Sequence, residues 1–141
     1  DSFENLLFSI CRFREVTGRY PAKVTVVGFD FKERRFSDLH RAALNFPASH
    51  FHYIGVKPNS SMFDHKRADD GERDVRRQFA ADPYSCSGAL EEKRHLRNPF
   101  KRTVPYDAAC PEIEPLLHWC GPDPFEKSGE KVPWALGSTM H

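Results

Sequence analysis

Three stretches of this chain carry side chains able to hold or act on an anionic group. Phe29-Asp30-Phe31-Lys32-Glu33-Arg34-Arg35 places three bases directly ahead of an apolar helical pattern. The free amides and positive dipole end of a helix start favour an anion there, and an arginine fork fits phosphate or carboxylate. Lys32 and Arg35 would clamp the anion, with Asp30 orienting a hydroxyl or a water. Asp30 and Glu33 offset part of this charge, and a solvated loop would carry a similar mixture. Asp1-Ser2-Phe3-Glu4-Asn5 opens a second helical pattern. With Asp1 as N-cap and Glu4 as its capping-box partner, capping accounts for Ser2 and Glu4, but asparagine is a poor former of a first helical turn. Asn5 with Ser2 would bond a ligand's polar edge, and Glu4 would position the helix start or act as a general base. The tract from Glu91 to Arg102 holds five bases against two acids, with His95. Arg94 or Arg97 would close over the same pocket, although a basic tract is equally a solvated face.

The remaining constellations point to less. Four cysteines, Cys11, Cys86, Cys110 and Cys120, are too few for a disulfide scaffold at this length and include no C-x-x-C pair. They read as buried free thiols. A zinc set of Cys86, Cys110, His118 and Cys120 would match no common knuckle spacing. His50 and His52 share a strand face without a third ligand, and His40, inside a helical stretch, reads as a surface or capping residue. No metal is predicted, and no cofactor is identified. A Gly-rich phosphate loop, G-x-S-x-G and H-E-x-x-H are all absent, which removes several hydrolase and kinase classes.

The elements that must position these residues follow from periodicity. Phe3, Leu6, Leu7, Ile10, Phe13 and Val16 recur at steps of three and four, predicting a helix over 2–17 stopped by Gly18. Val24-Thr25-Val26-Val27 is a β-branched run apolar on both faces, the pattern of a strand covered on each side. A polar loop over 28–35 leads to a helix over 36–46, marked by Phe36, Leu39, Ala43 and Phe46 and followed by Pro47. A strand over 50–56 comes next, then a loop over 57–72 and a helix over 71–81 with Val75 and Phe79 inward. This alternation predicts an α/β fold, a Rossmann-like parallel sheet with helices on both faces. Two strands leave both sheet edges unpaired, so the domain reads as an incomplete half completed by upstream strands or another chain. Ligands in such sheets bind beyond the carboxyl ends of the strands, which places Ser2–Asn5 and Asp30–Arg35 on one rim. Eight of the eleven prolines fall between Pro83 and Pro133, predicting a loop-rich extension over 82–141 on a domain over 1–81, with Trp119 and Trp134 packing it down.

Ser2-Phe3-Glu4-Asn5 resembles the Thr/Ser-x-Glu-Asn element that opens a helix in the DUF218 family (SanA/YdcF/ElyC-like). Asp30-Phe31-Lys32-Glu33-Arg34-Arg35-Phe36 is similar to that family's loop Asp-aromatic-His-x-x-Arg-Ala, at a similar spacing. Lys32 stands where the family has His, and Phe36 where it has Ala. The resemblance covers about the first 60 residues, and the part from Asp82 onward looks like an extension of fungal members. It implies a Rossmann-like fold whose first strand would precede Asp1, with ligand contacts from Ser2, Glu4, Asn5, Asp30, Phe31 and Arg35.

The 141 residues include 21 basic and 20 acidic side chains, a formal charge of +1. That balance gives no electrostatic reason to expect nucleic acid or an anionic membrane as partner. No apolar run approaches the roughly 20 residues that span a bilayer, and the start lacks a signal-peptide layout. The expectation is a soluble, cytoplasmic protein with a small anionic, nucleotide-like or phosphorylated metabolite as partner. The competing expectation is a non-catalytic module docking through its sheet edge and tail.

Overall fold

Local signals at both ends define the first helix of the computed structural model, which describes residues 1–59 and 61–134. Helix α1 (Ser2–Thr17) starts where an Asp1 carboxylate oxygen accepts the Glu4 N–H at 2.8 Å. It ends at Gly18, whose φ of 80° turns its N–H back to the Arg14 carbonyl, a conformation open to glycine at no steric cost. Phe3, Leu6, Leu7, Ile10 and Cys11 are buried as predicted, but Phe13 and Val16, on the last two turns, are exposed.

Strand β1 (Val24–Phe29) pairs in parallel with β2 (Phe51–Val56), with Val24 opposite Phe51 and Phe29 opposite Val56. The fold is thus mixed α/β around a parallel pair. One face of the pair, carrying Val24, Val26 and Phe51, joins the core. On the other face Val27, Phe29, Ile54 and Val56 stay between 43% and 66% exposed, so the cover predicted over both faces of β1 is present on one face among the described residues.

The helix after β1 spans 33–43 and begins three residues earlier than predicted. A 3₁₀ turn, Asp30–Lys32, feeds it; its middle, Arg35–His40, is π-helical, and its end is α2 (Arg41–Ala43). Arg35 therefore sits on a helix rather than in a loop. Asn45, at φ 53°, reverses the chain after it. Helix α3 (His65–Ala81), capped by Asp64, runs six residues longer at its start than the sequence pattern marks. Its first two turns carry Ala68 as their one apolar residue and so show no amphipathic period.

The part beyond residue 82 is more regular than its prolines predict. Helix α4 (Gly88–Arg97) carries much of the basic tract, and α5 (Glu114–Leu117) is a single turn. Prolines there fall between elements or at first helical positions, where the missing N–H costs nothing. Cys110, Ile113, Leu116, Phe125, Val132 and Trp134 join the core formed by α1. Buried Tyr84 donates to the Ala43 carbonyl at 2.9 Å and accepts the Phe125 N–H at 2.7 Å, and the Trp134 indole donates to the Leu44 carbonyl at 2.8 Å. Residues 135–141 of the predicted extension lie outside the described residues.

The cysteines are not free thiols. Cys11 is bridged to Cys110, with Cα atoms 5.9 Å apart, and Cys86 to Cys120, at 5.5 Å. The first bridge ties α1 to the tail across 99 residues, and the second removes two members of the hypothetical zinc set. Persistent disulfides belong to oxidising compartments, which runs against the expected cytoplasmic setting. In denaturant, thiol titration of the isolated protein should find no reactive cysteine until reductant is added. Opening the long loop with Cys11→Ser and Cys110→Ser should cost about 2–5 kcal/mol in urea unfolding.

Candidate functional site

The start of α1 and the turn after β1 meet. A cavity of about 500 Å³ lies between them, bounded by Ser2 and Asn5 from α1, the end of β1, Lys32 and Arg35 from the turn and helix, and Tyr53 from β2. Four of the predicted binding residues, Ser2, Asn5, Lys32 and Arg35, thus share one space. Consecutive residues Val26 to Phe29 all line it. Strand side chains alternate between faces, so the cavity runs along the free edge of β1 rather than over a face.

Two glycines permit this geometry. A Cβ on Gly28 would lie 2.6 Å from the Tyr53 hydroxyl, which crosses β1 to donate to the Phe29 carbonyl at 2.7 Å. A Cβ on Gly55 would come within 3.0 Å of Asp30, whose backbone folds down onto β2. Asp30 packs there instead of lining the cavity, and its residue is exposed. Phe31 is also outside: its ring stacks on Phe29 at 5.5 Å, and the Lys32 ammonium lies over both rings at 5.8 and 5.9 Å.

The other predicted residues belong elsewhere. Glu4, Arg94 and Arg97 line a separate cavity of about 680 Å³ between α1, α4 and the Cys86–Cys120 bridge. Arg94 pairs with Glu4 at 2.9 Å and Asp1 at 3.6 Å, and donates to the Tyr84 and Ser85 carbonyls. It is a clasp between α4 and the start of α1. The expectation that it closes over the Lys32–Arg35 pocket is corrected: its Nε and Nη1 groups are turned to carboxylates and backbone of the other cavity. Glu4, held in that clasp, does not reach the pocket as a base.

Two residues outside the predicted set complete the site. Glu72 on α3 is buried and faces Arg35, Oε1 to Nε at 3.2 Å, in an ion pair without the alignment of a hydrogen bond. Burial raises the Glu72 carboxyl and lowers the Arg35 guanidinium from their usual values, each opposed by the partner's charge. His40, expected at the surface, is 1% exposed, and its Nε2 lies 2.8 Å from the Ser2 hydroxyl. Burial and then the Arg35 guanidinium push its imidazole down to about 3. Both residues had a signal in the sequence: Glu72 precedes Val75 and Phe79 by three and seven, and His40 lies four after Phe36 and three before Ala43. Those spacings put each on the inward face of its helix.

Among the described residues no group of three His, Cys, Asp or Glu side chains converges as a metal requires. His50 ends a 3₁₀ turn, and His52 lies on the exposed face of β2. No helix among them is long and apolar enough to cross a membrane.

The sequence is 39% identical over 114 residues to the uncharacterized protein YOR238W of Saccharomyces cerevisiae, a match covering 75% of this chain and 38% of that protein. The chain thus corresponds to well under half the length of this relative. No protein-family model matches the chain, and no solved structure does.

Removing one partner of a buried ion pair strands the other charge. Glu72→Ala should therefore destabilise the protein by about 3–5 kcal/mol, while the double variant Arg35→Met, Glu72→Leu should cost less than Glu72→Ala alone, as read by urea unfolding. His40 has its own signature. The unfolded chain takes up this proton near 6.5 and the folded protein only near 3, so the folded state loses stability as pH falls through that window. The loss from this group is at most about 1.4 kcal/mol per pH unit. In urea melts between pH 7 and 4, His40→Gln should gain on the wild type steadily as the pH drops.

Proposed function

We propose that this chain is part of a DUF218-like, Rossmann-like α/β domain that binds a small anionic metabolite, nucleotide-like or phosphorylated, beside the end of β1. The observation carrying this reading is the convergence of Lys32 and Arg35 with Ser2 and Asn5 on one cavity of about 500 Å³. Its place at the carboxyl end of a parallel strand is where open α/β sheets hold ligands, and its mixture of apolar walls with a few polar groups suits a small molecule. Lys32 supplies a point charge. Arg35 has its Nε turned to Glu72 and makes no other ion pair among the described residues, so its terminal amino groups are the part offered to a ligand. Asn5 and Ser2 supply neutral hydrogen bonds. With Glu4 and Asp30 both away from the cavity, the reading is of a binding site first.

A second reading rests on the bare face of Val27, Phe29, Ile54 and Val56 and on the free edge of β1. An unpaired edge beside exposed apolar side chains suits pairing with another strand, supplied by a further segment of a longer protein or by a second chain. The two readings compete for space, since a strand along that edge would enter the cavity lined by Val26 to Phe29.

Calorimetric titration with pyrophosphate and with a nucleoside 5′-monophosphate tests the first. Binding is expected, and Lys32→Ala should weaken it roughly tenfold or more, the worth of one charge-assisted hydrogen bond. Absence of binding by the wild type overturns the reading.

A further inference from the structure

The hydrogen bond between Ser2 and His40 joins the cavity to a sealed interior group, and it deepens the anion-site reading on which it rests. His40 is enclosed by the edges of Phe36 at 5.0 Å and Phe79 at 4.6 Å and by the tilted ring of Phe3 at 6.0 Å. It is 1% exposed, so water does not compete for its Nε2, and the Ser2 hydroxyl at 2.8 Å is the partner it has there. A neutral imidazole can take either role in that bond. If Nε2 lacks a proton, the serine donates inward and shows only lone pairs to the cavity. If Nε2 carries the proton, it donates to Oγ, and the serine proton is free to point outward.

The surroundings select between these. Lys32 and Arg35 bring only donors to the cavity, so a matching ligand presents acceptors, and a serine showing lone pairs would repel it. A base role would convert His40 into an imidazolium among aromatic rings. Of the charged groups around it, Arg35 on its own helix is cationic and opposes that. On α3 the Glu72 carboxylate faces Arg35, with the Arg76 guanidinium close to that pair.

We propose that His40 is a positioning residue that holds the Ser2 hydroxyl as a hydrogen-bond donor to an oxyanion clamped by Lys32 and Arg35. Ser2 is then a specificity contact for tetrahedral oxyanions such as a phosphoryl group, and the pair is not a nucleophile with its base. Burial favouring the neutral ring through the physiological range agrees with this.

Nitrogen-15 NMR of the histidine side chains reads the tautomer directly. His40 is expected with Nε2 protonated and without titration between pH 5 and 8. Pyrophosphate affinity should fall roughly tenfold in Ser2→Ala, fall similarly in His40→Leu, and be restored in His40→Gln, whose amide can donate from nearly the same place. The Ser2→Ala and His40→Leu losses should not add. A fluorophosphonate probe should leave Ser2 unlabelled. An Nδ1-protonated ring, His40-dependent labelling of Ser2, or unchanged affinity in Ser2→Ala overturns the proposal while leaving the anion site standing. Ser2→Ala removes only a hydroxyl at the cavity wall, so its result stands even if His40→Leu fails to fold. Failure of the wild type to bind pyrophosphate or inorganic phosphate removes both the anion site and this role.

Discussion

The first turn of α1 is held from three directions, and both cavities of the amino-terminal region depend on that restraint. The Asp1 side chain caps the helix from within, the Arg94 clasp pulls Asp1 and Glu4 toward α4, and Ser2 bonds into the interior through His40. Each contact alone is modest, since partly exposed ion pairs and single hydrogen bonds contribute about 1 kcal/mol each. Together they fix the rotation of the helix start. With that rotation set, Phe3, Leu6 and Leu7 enter the core while Ser2 and Asn5 face the end of β1.

Arg35 links this turn to the rest of the molecule. It lies on the π-helical stretch, faces Glu72 of α3, and lines the cavity. A wider helical turn shifts the side-chain register by about one residue from an α-helix, a device common at functional sites. Here Arg35 and Phe36 reach the cavity while His40, one broad turn later, lies inside. Glu72 holds Arg35 in place, at the cost of desolvating both charges.

The tail is a structural partner to this arrangement rather than an appendage. Its bridge to Cys11, the Tyr84 hydroxyl spanning Ala43 and Phe125, and the Trp134 indole on Leu44 close the core from the side opposite the bare sheet face. Apolar cover is therefore concentrated on one side of the parallel pair. The uncovered side, with Val27 facing Ile54 across the register, leaves apolar side chains at the surface.

Local chemistry was enough to determine α1 with its two caps, the two strands, their parallel relation, and the meeting of Ser2–Asn5 with Lys32 and Arg35. Those features depend on periodicity and on the rule that strand ends and helix starts share one rim, both of which act over short stretches of chain. The disulfide pairing, the burial of His40 and Glu72, and the assignment of Arg94 to a clasp depend on partners 34 to 99 residues away. A charged side chain prefers water unless a partner compensates its burial, so only the neighbours that arrive in three dimensions decide whether it faces water, a ligand or another charge.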